Sequence, residues 1–181
     1  MNKLKVSLKI LLFISFLLTG CSVEPEESAC ILGNLLIENS AFPNDTWEET
    51  GSRGIEDAPS RVGIDKAGTS FSTKHNGGSV QHIYRFSNEE DAYSNFEVLK
   101  HDWITLVTKG NDLVIPDELS GINLAADKYL LGCTYNEIET CLFVALYDKN
   151  VVEFMVDMPS LAYEDLVNIL IEINIRMQAC K

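Results

Sequence analysis

The chain has 181 residues, with 14 basic side chains against 27 acidic ones, a formal net charge of -13 and a hydrophobic content of 46%. That length and apolar content suit one domain able to bury its own core. So acidic a surface fits nucleic acid and anionic lipid head groups poorly and fits cations or basic proteins well.

Lys3, Lys5 and Lys9 precede an apolar run from Ile10 to Leu18 that stops at Leu18-Thr19-Gly20-Cys21. The run falls short of the ~20 apolar residues a spanning helix needs, and its basic front and small residues before the break predict a secretory signal over residues 1–20. The tetrapeptide Leu-Thr-Gly-Cys also resembles the lipobox of bacterial lipoproteins. That resemblance implies that Cys21 is acylated, becomes the first residue of the mature chain, and holds the protein by its lipid on the extracytoplasmic face of the cell membrane or outer membrane. Losing residues 1–20 removes three lysines and no acids, so the net charge moves to -16, from 27 acidic and 11 basic groups. Residues 21–28, with Glu24, Glu26 and Glu27 around Pro25, read as a short acidic tether. Residues 29–181 read as a single extracytoplasmic domain.

Four cysteines remain beyond Cys21: Cys30, Cys133, Cys141 and Cys180. An even number in an exported chain reads as two disulfides, with three possible connectivities. Cys133 and Cys141 bracket a polar segment, Thr134 to Thr140, between two strand-like runs, and are expected to pair across a hairpin mouth. Cys30 and Cys180 then join the two ends of the domain. The C-x7-C spacing is unlike that of structural zinc sites and no histidine adjoins either pair, so no metal is expected.

Along the domain, Ala29 to Glu38 reads as a short helix, and Phe42-Pro43-Asn44-Asp45-Thr46-Trp47 as a turn with two aromatics. Glycine, proline and charge dominate Thr50 to Lys66, a predicted long loop. Gly68 to His75 and Ser79 to Phe86 read as a hairpin across Asn76-Gly77-Gly78, with Val80, His82, Tyr84 and Phe86 on the core face. Ser87 with Glu90 has the form of a capping box that opens the longest helix, whose Ala92, Phe96, Leu99, Trp103 and Leu106 recur at helical spacing. Asn111 to Asn123 reads as loop. Three strands follow, Ala125 to Cys133, Cys141 to Tyr147 and Val151 to Asp157. A closing helix from Ser160 carries Tyr163, Leu166, Val167, Leu170, Ile173 and Met177 on one side. The order predicts an α+β fold: a twisted antiparallel sheet of about five strands packed with two main helices plus a short N-terminal helix.

The Phe-Pro-x-x-Thr-Trp turn, Gln81-His82-Ile83-Tyr84-Arg85-Phe86-Ser87 leading into Glu90-Asp91-Ala92, and Ala126-Asp127-Lys128-Tyr129 before a disulfide-linked hairpin resemble the PsbP/LpqN-like extracytoplasmic domains. That group includes bacterial lipoproteins and sensor domains of receptor kinases. The resemblance implies a fold and no catalytic residues.

No nucleophile motif, zinc-protease motif, phosphate loop or calcium loop is present, and no catalytic residue or cofactor is predicted. His75 and His82 fall on the hairpin and His101 on the long helix. His82, beside Tyr84 and Phe86, reads as a buried, satisfied histidine. Glu48 with Glu49, and Glu89 with Glu90 or Asp91, are the carboxylate pairs able to serve as acid and base or to hold calcium weakly; solvated turns and helix starts are the expected reading. The sequence thus predicts a membrane-tethered, non-catalytic binding or accessory module for an envelope protein or small ligand, with an envelope hydrolase using a carboxylate pair as the alternative. Loops 50–67 and 109–124 are the expected binding surface, with Trp47, Arg53 and Arg61 as anchors, because tryptophan and arginine are enriched where partners bind most strongly.

Overall fold

The computed structural model describes residues 30–43, 46–51, 55–57, 65–73 and 77–180. Cys21, the signal and tether segments, Arg53, Arg61 and His75 lie outside the described residues.

One antiparallel sheet organises the chain. Its strands are β1 (Trp47–Glu49), β2 (Ile55–Asp57), β3 (Asp65–Thr73), β4 (Gly78–Arg85), β5 (Lys128–Asn136), β6 (Ile138–Tyr147) and β7 (Asn150–Asp157), in the order β1-β3-β4-β7-β6-β5. The seven segments fill six positions, because β1 and β2 pair with opposite ends of the same edge of β3. The helices are α1 (Leu32–Leu35), α2 (Glu89–Thr108) and α3 (Tyr163–Gln178). Helices pack on both faces, α1 and α3 on one and α2 over β5, β6 and β7 on the other, which makes the fold α+β.

The alternation of each strand sorts its side chains between two clusters. On one face Ala67, Phe71, Ile83, Phe143, Val152 and Phe154 meet Leu166, Ile169, Leu170, Ile173 and Met177 of α3 and Leu32, Leu35 and Leu36 of the N-terminal segment. On the other, Tyr84, Phe86, Leu142, Val144, Leu146 and Val151 meet Ala92 and Phe96 of α2. The centre of β4 is buried on the side of the first cluster, where Gln81 and Ile83 are as fully buried as any residue of that cluster, while Val80 and His82 on the other side are half-buried. The expectation that Val80, His82, Tyr84 and Phe86 form the core face, with His82 buried, is corrected: Gln81 and Ile83 of the opposite row are fully buried, whereas Val80 and His82 are half-buried because α2 is seated on β5, β6 and β7.

Side chains tie the chain ends to this frame. Cys30 and Cys180 are bonded, with Cα atoms 5.3 Å apart. Arg85 donates to the Cys30 carbonyl at 2.6 Å, and Arg176 donates to the Leu36 carbonyl at 2.7 Å while contacting Glu172. The buried amide of Gln81 accepts from the Ile37 N–H at 2.8 Å. Cys133 and Cys141 are bonded and stand directly opposite one another in the β5–β6 ladder.

Several boundaries differ from expectation. The polar segment 134–140 is strand, since β5 and β6 run on to Asn136 and Ile138 and turn on Glu137 alone, at φ 70°. The bonded pair therefore lies inside a continuous ladder. The helix α2 is capped by Asn88, not Ser87: Asn88 Oδ1 accepts from the Asp91 N–H at 2.9 Å, and Asn88 Nδ2 donates to the Asp91 carboxylate at 2.8 Å. Leu106 leaves the buried stripe and is 64% exposed. At the other chain end, Met158–Ser160 is a short 3-10 turn and α3 begins at Tyr163, with Ala162 as an N-cap lacking a side-chain acceptor.

Candidate functional site

Trp47 is not a surface anchor. It is 1% exposed, stacked on Phe42 at 4.5 Å, and Phe42 in turn packs on Phe71 at 4.7 Å. The short edge strand β1 turns the indole inward, so the aromatic pair of the turn closes one corner of the core. The predicted loop 50–67 contains β2 and the start of β3. In the loop 109–124, Val114 exchanges backbone hydrogen bonds with Cys133 and Leu119 is buried, which ties the segment to the β5 edge. The carboxylates of Glu48, Glu89, Glu90 and Asp91 are exposed, Asp91 serving the α2 cap, while Glu49 accepts from the Thr69 hydroxyl at 2.9 Å. They converge on no common cavity among the described residues.

A different carboxylate stands out. Glu153, at the middle of β7, is 2% exposed and points to the α2 face of the sheet, with Val151 and Met155. Ladder register sets His82 directly opposite it and Tyr84 opposite Val151. The Tyr84 hydroxyl donates to Glu153 Oε2 at 3.0 Å, and His82 Nδ1 lies 3.5 Å from the same oxygen. Glu153 Oε1 is buried and has no hydrogen-bond partner. Burial, then the Glu153 charge and the hydrogen bond to it, holds the Tyr84 hydroxyl well above its ordinary ionisation range. Lys66, opposite Tyr84 in β3, places its ammonium over the Tyr84 ring, 5.5 Å from the centroid, and outside ion-pair distance of the carboxylate.

The backbone beside this cluster is shaped for the imidazole. Gly68 faces His82 in the β3–β4 ladder, and a Cβ at that position would stand 2.6 Å from His82 Cδ2. Glycine is therefore what lets the ring lie across β3 with Nδ1 turned to Glu153. The long helix is seated on β5, β6 and β7. On the same face, Gly68, Ser70 and Ser72 of β3, Val80 and His82 of β4 and Met155 of β7 are half-buried, so this part of the sheet is more open than the part beneath α2.

Sequence reasoning placed His82 and Tyr84 on a common face but missed Glu153. The available signal was a lone acid inside an otherwise apolar strand, Val151-Val152-Glu153-Phe154-Met155-Val156, since a charge is seldom fully buried without a partner. Among the described residues no group of three or more histidine, cysteine, aspartate or glutamate side chains could hold a metal ion, and no helix is long and apolar enough to cross a membrane.

Comparisons with protein-family models, with curated proteins and with solved structures found no match.

Proposed function

We propose that this chain is a lipid-tethered, extracytoplasmic, non-catalytic binding module of the bacterial cell envelope, and that its recognition surface is the open half of the sheet face around His82 and Glu153. The tether rests on the order of residues 3–21: lysines, a short apolar run, then Leu-Thr-Gly-Cys. Two disulfides are in keeping with an oxidising, exported setting. The resemblance to PsbP/LpqN-like domains agrees with a module of this kind. The observation that carries the binding part is the buried carboxylate of Glu153 with one oxygen unpartnered, set beside a half-buried strip of small residues. A buried carboxylate oxygen that lacks a donor is costly unless a ligand or water completes it.

The test is fractionation of cells producing the full chain or its Cys21→Ser variant. The wild type partitions with membranes, and Cys21→Ser appears in the periplasm or medium with both disulfides intact; membrane retention of the variant overturns the tether.

A hydrolase is the second reading, favoured by one contact: a histidine whose Nδ1 faces a buried carboxylate has the orienting half of a general-base pair. It would use His82 with Glu153 instead of two carboxylates. Turnover of envelope esters or peptides that is lost in His82→Gln would establish it over the binding reading.

A further inference from the structure

We infer that the His82–Glu153–Tyr84 cluster is a recognition site for a small organic cation, a primary alkylammonium. The inference rests on the reading of this sheet face as the recognition surface and names the chemistry it would take. Glu153 is a buried carboxylate whose Oε2 receives Tyr84 and faces His82 Nδ1, while Oε1 lacks any partner. The group completing it must supply an N–H or O–H donor at Oε1, and a positively charged donor offsets the buried charge as well. Lys66 does not do so: its ammonium lies over the Tyr84 ring, 5.5 Å from the centroid, and forms no ion pair with Glu153.

The surroundings set the shape of the ligand. One ladder step from the His82–Glu153 pair stands Val80 opposite Met155, both half-buried and on the same face. An alkyl chain a few carbons long reaches this apolar pair from an ammonium held at Glu153. On β3 the neighbouring positions are Gly68, which lies against the His82 ring, and Ser70, whose hydroxyl is met by Thr50 Oγ1 at 3.3 Å, so the approach runs along Val80 and Met155. The whole chain, at a formal -13, attracts cations.

Titration of n-butylammonium chloride into the purified full chain at constant ionic strength tests this, followed through the His82 ring resonances and the Tm, with n-butanol as the neutral isostere. The expected result is a saturable shift of the His82 resonances and a rise in Tm with n-butylammonium, neither with n-butanol, and binding at least tenfold weaker in Glu153→Gln. Absence of a saturable response to n-butylammonium, or an equal response to n-butanol, overturns the inference. Should Glu153→Gln fail to fold, Val80→Trp fills the half-buried apolar end of the face and leaves the carboxylate in place: loss of binding in a variant with unchanged circular dichroism supports the site, and retention of full affinity overturns it. Membrane release of Cys21→Ser is read separately, so failure of cation binding and failure of the tether are distinguishable.

Discussion

His82 and Glu153 face each other across the β4–β7 ladder, Nδ1 to Oε2 at 3.5 Å, and Gly68 on the far side of His82 leaves the room that the ring occupies. Gly68→Ala puts a methyl 2.6 Å from His82 Cδ2, so the ring must swing off β3 and lose the carboxylate. We expect a loss of ~1–3 kcal/mol, the usual cost of overpacking, read from denaturant midpoints. The same variant should move the His82 ring resonances. Unchanged stability and unchanged resonances would contradict the described ring position.

Tyr84→Phe removes the donor at 3.0 Å and leaves the Glu153 carboxylate with only His82 beside Oε2. Because the orphaned group is a buried charge, the cost should exceed that of an ordinary hydrogen bond, about 1–3 kcal/mol or more. Urea unfolding of Tyr84→Phe alone and combined with Glu153→Gln checks this. The double variant should recover part of the loss, since it removes the charge that Tyr84 serves.

Alkaline pH tests three buried or bonded hydroxyls together. Burial, with the charge of Glu153 on Tyr84 and of Asp127 on Tyr147, raises both above the ordinary value of 10.0. Tyr163, through burial and its hydrogen bond to Glu139, is pushed up to about 12. A folded-state pKa above the unfolded one contributes stability that is fully present below pH 10.0 and is lost as pH rises toward the folded values. Stability should therefore decline from about pH 10 upward, and phenolate absorbance from Tyr84 and Tyr147 should appear together with unfolding. Early titration of both, in a chain still folded by circular dichroism, would contradict their burial.

The two disulfides should differ in weight. On chain entropy alone, the Cys30–Cys180 bond across 150 residues contributes at most about 5 kcal/mol and the Cys133–Cys141 bond across 8 at most about 2.5 kcal/mol. The Cys30→Ala/Cys180→Ala variant should thus lose more in urea midpoint than Cys133→Ala/Cys141→Ala. The short bond sits inside a formed ladder, which already holds its partners together.

Helix α3 offers a gain. Ala162 is its N-cap, with φ -81° and ψ 157°, and provides no side-chain acceptor for the first turn. Ala162→Asp supplies one and places a further negative charge at the positive helix end, worth ~1 kcal/mol. A higher Tm in this variant, with unchanged disulfides, is the expected outcome.

Local signals account well for what was legible beforehand. The helical spacing of Leu166, Leu170, Ile173 and Met177, the hairpin of β3 with β4, and the Cys133–Cys141 pair all depend on neighbours in sequence, and each is present; Cys30 with Cys180 followed from the even cysteine count once that pair was set. Long-range packing decided the rest. Trp47 looked like a loop aromatic because β1 is only three residues long and owes its position to Phe71, Ser72 and Thr73 of β3. Likewise Ser87 and Asn88 are both good caps, and the choice of Asn88 rests on its two-way bonding with Asp91. Glu153 was hidden most deeply, since its partners come from β4, 69 residues away from it in the case of Tyr84, and only the ladder brings them together.

The proposed tether carries the account, and mass spectrometry of the N-terminal peptide from the membrane fraction tests it most directly. The prediction is a mature chain that begins at Cys21, its mass raised by acyl chains, with residues 1–20 absent. A membrane-derived chain that begins at Met1 with an unmodified Cys21 would contradict it.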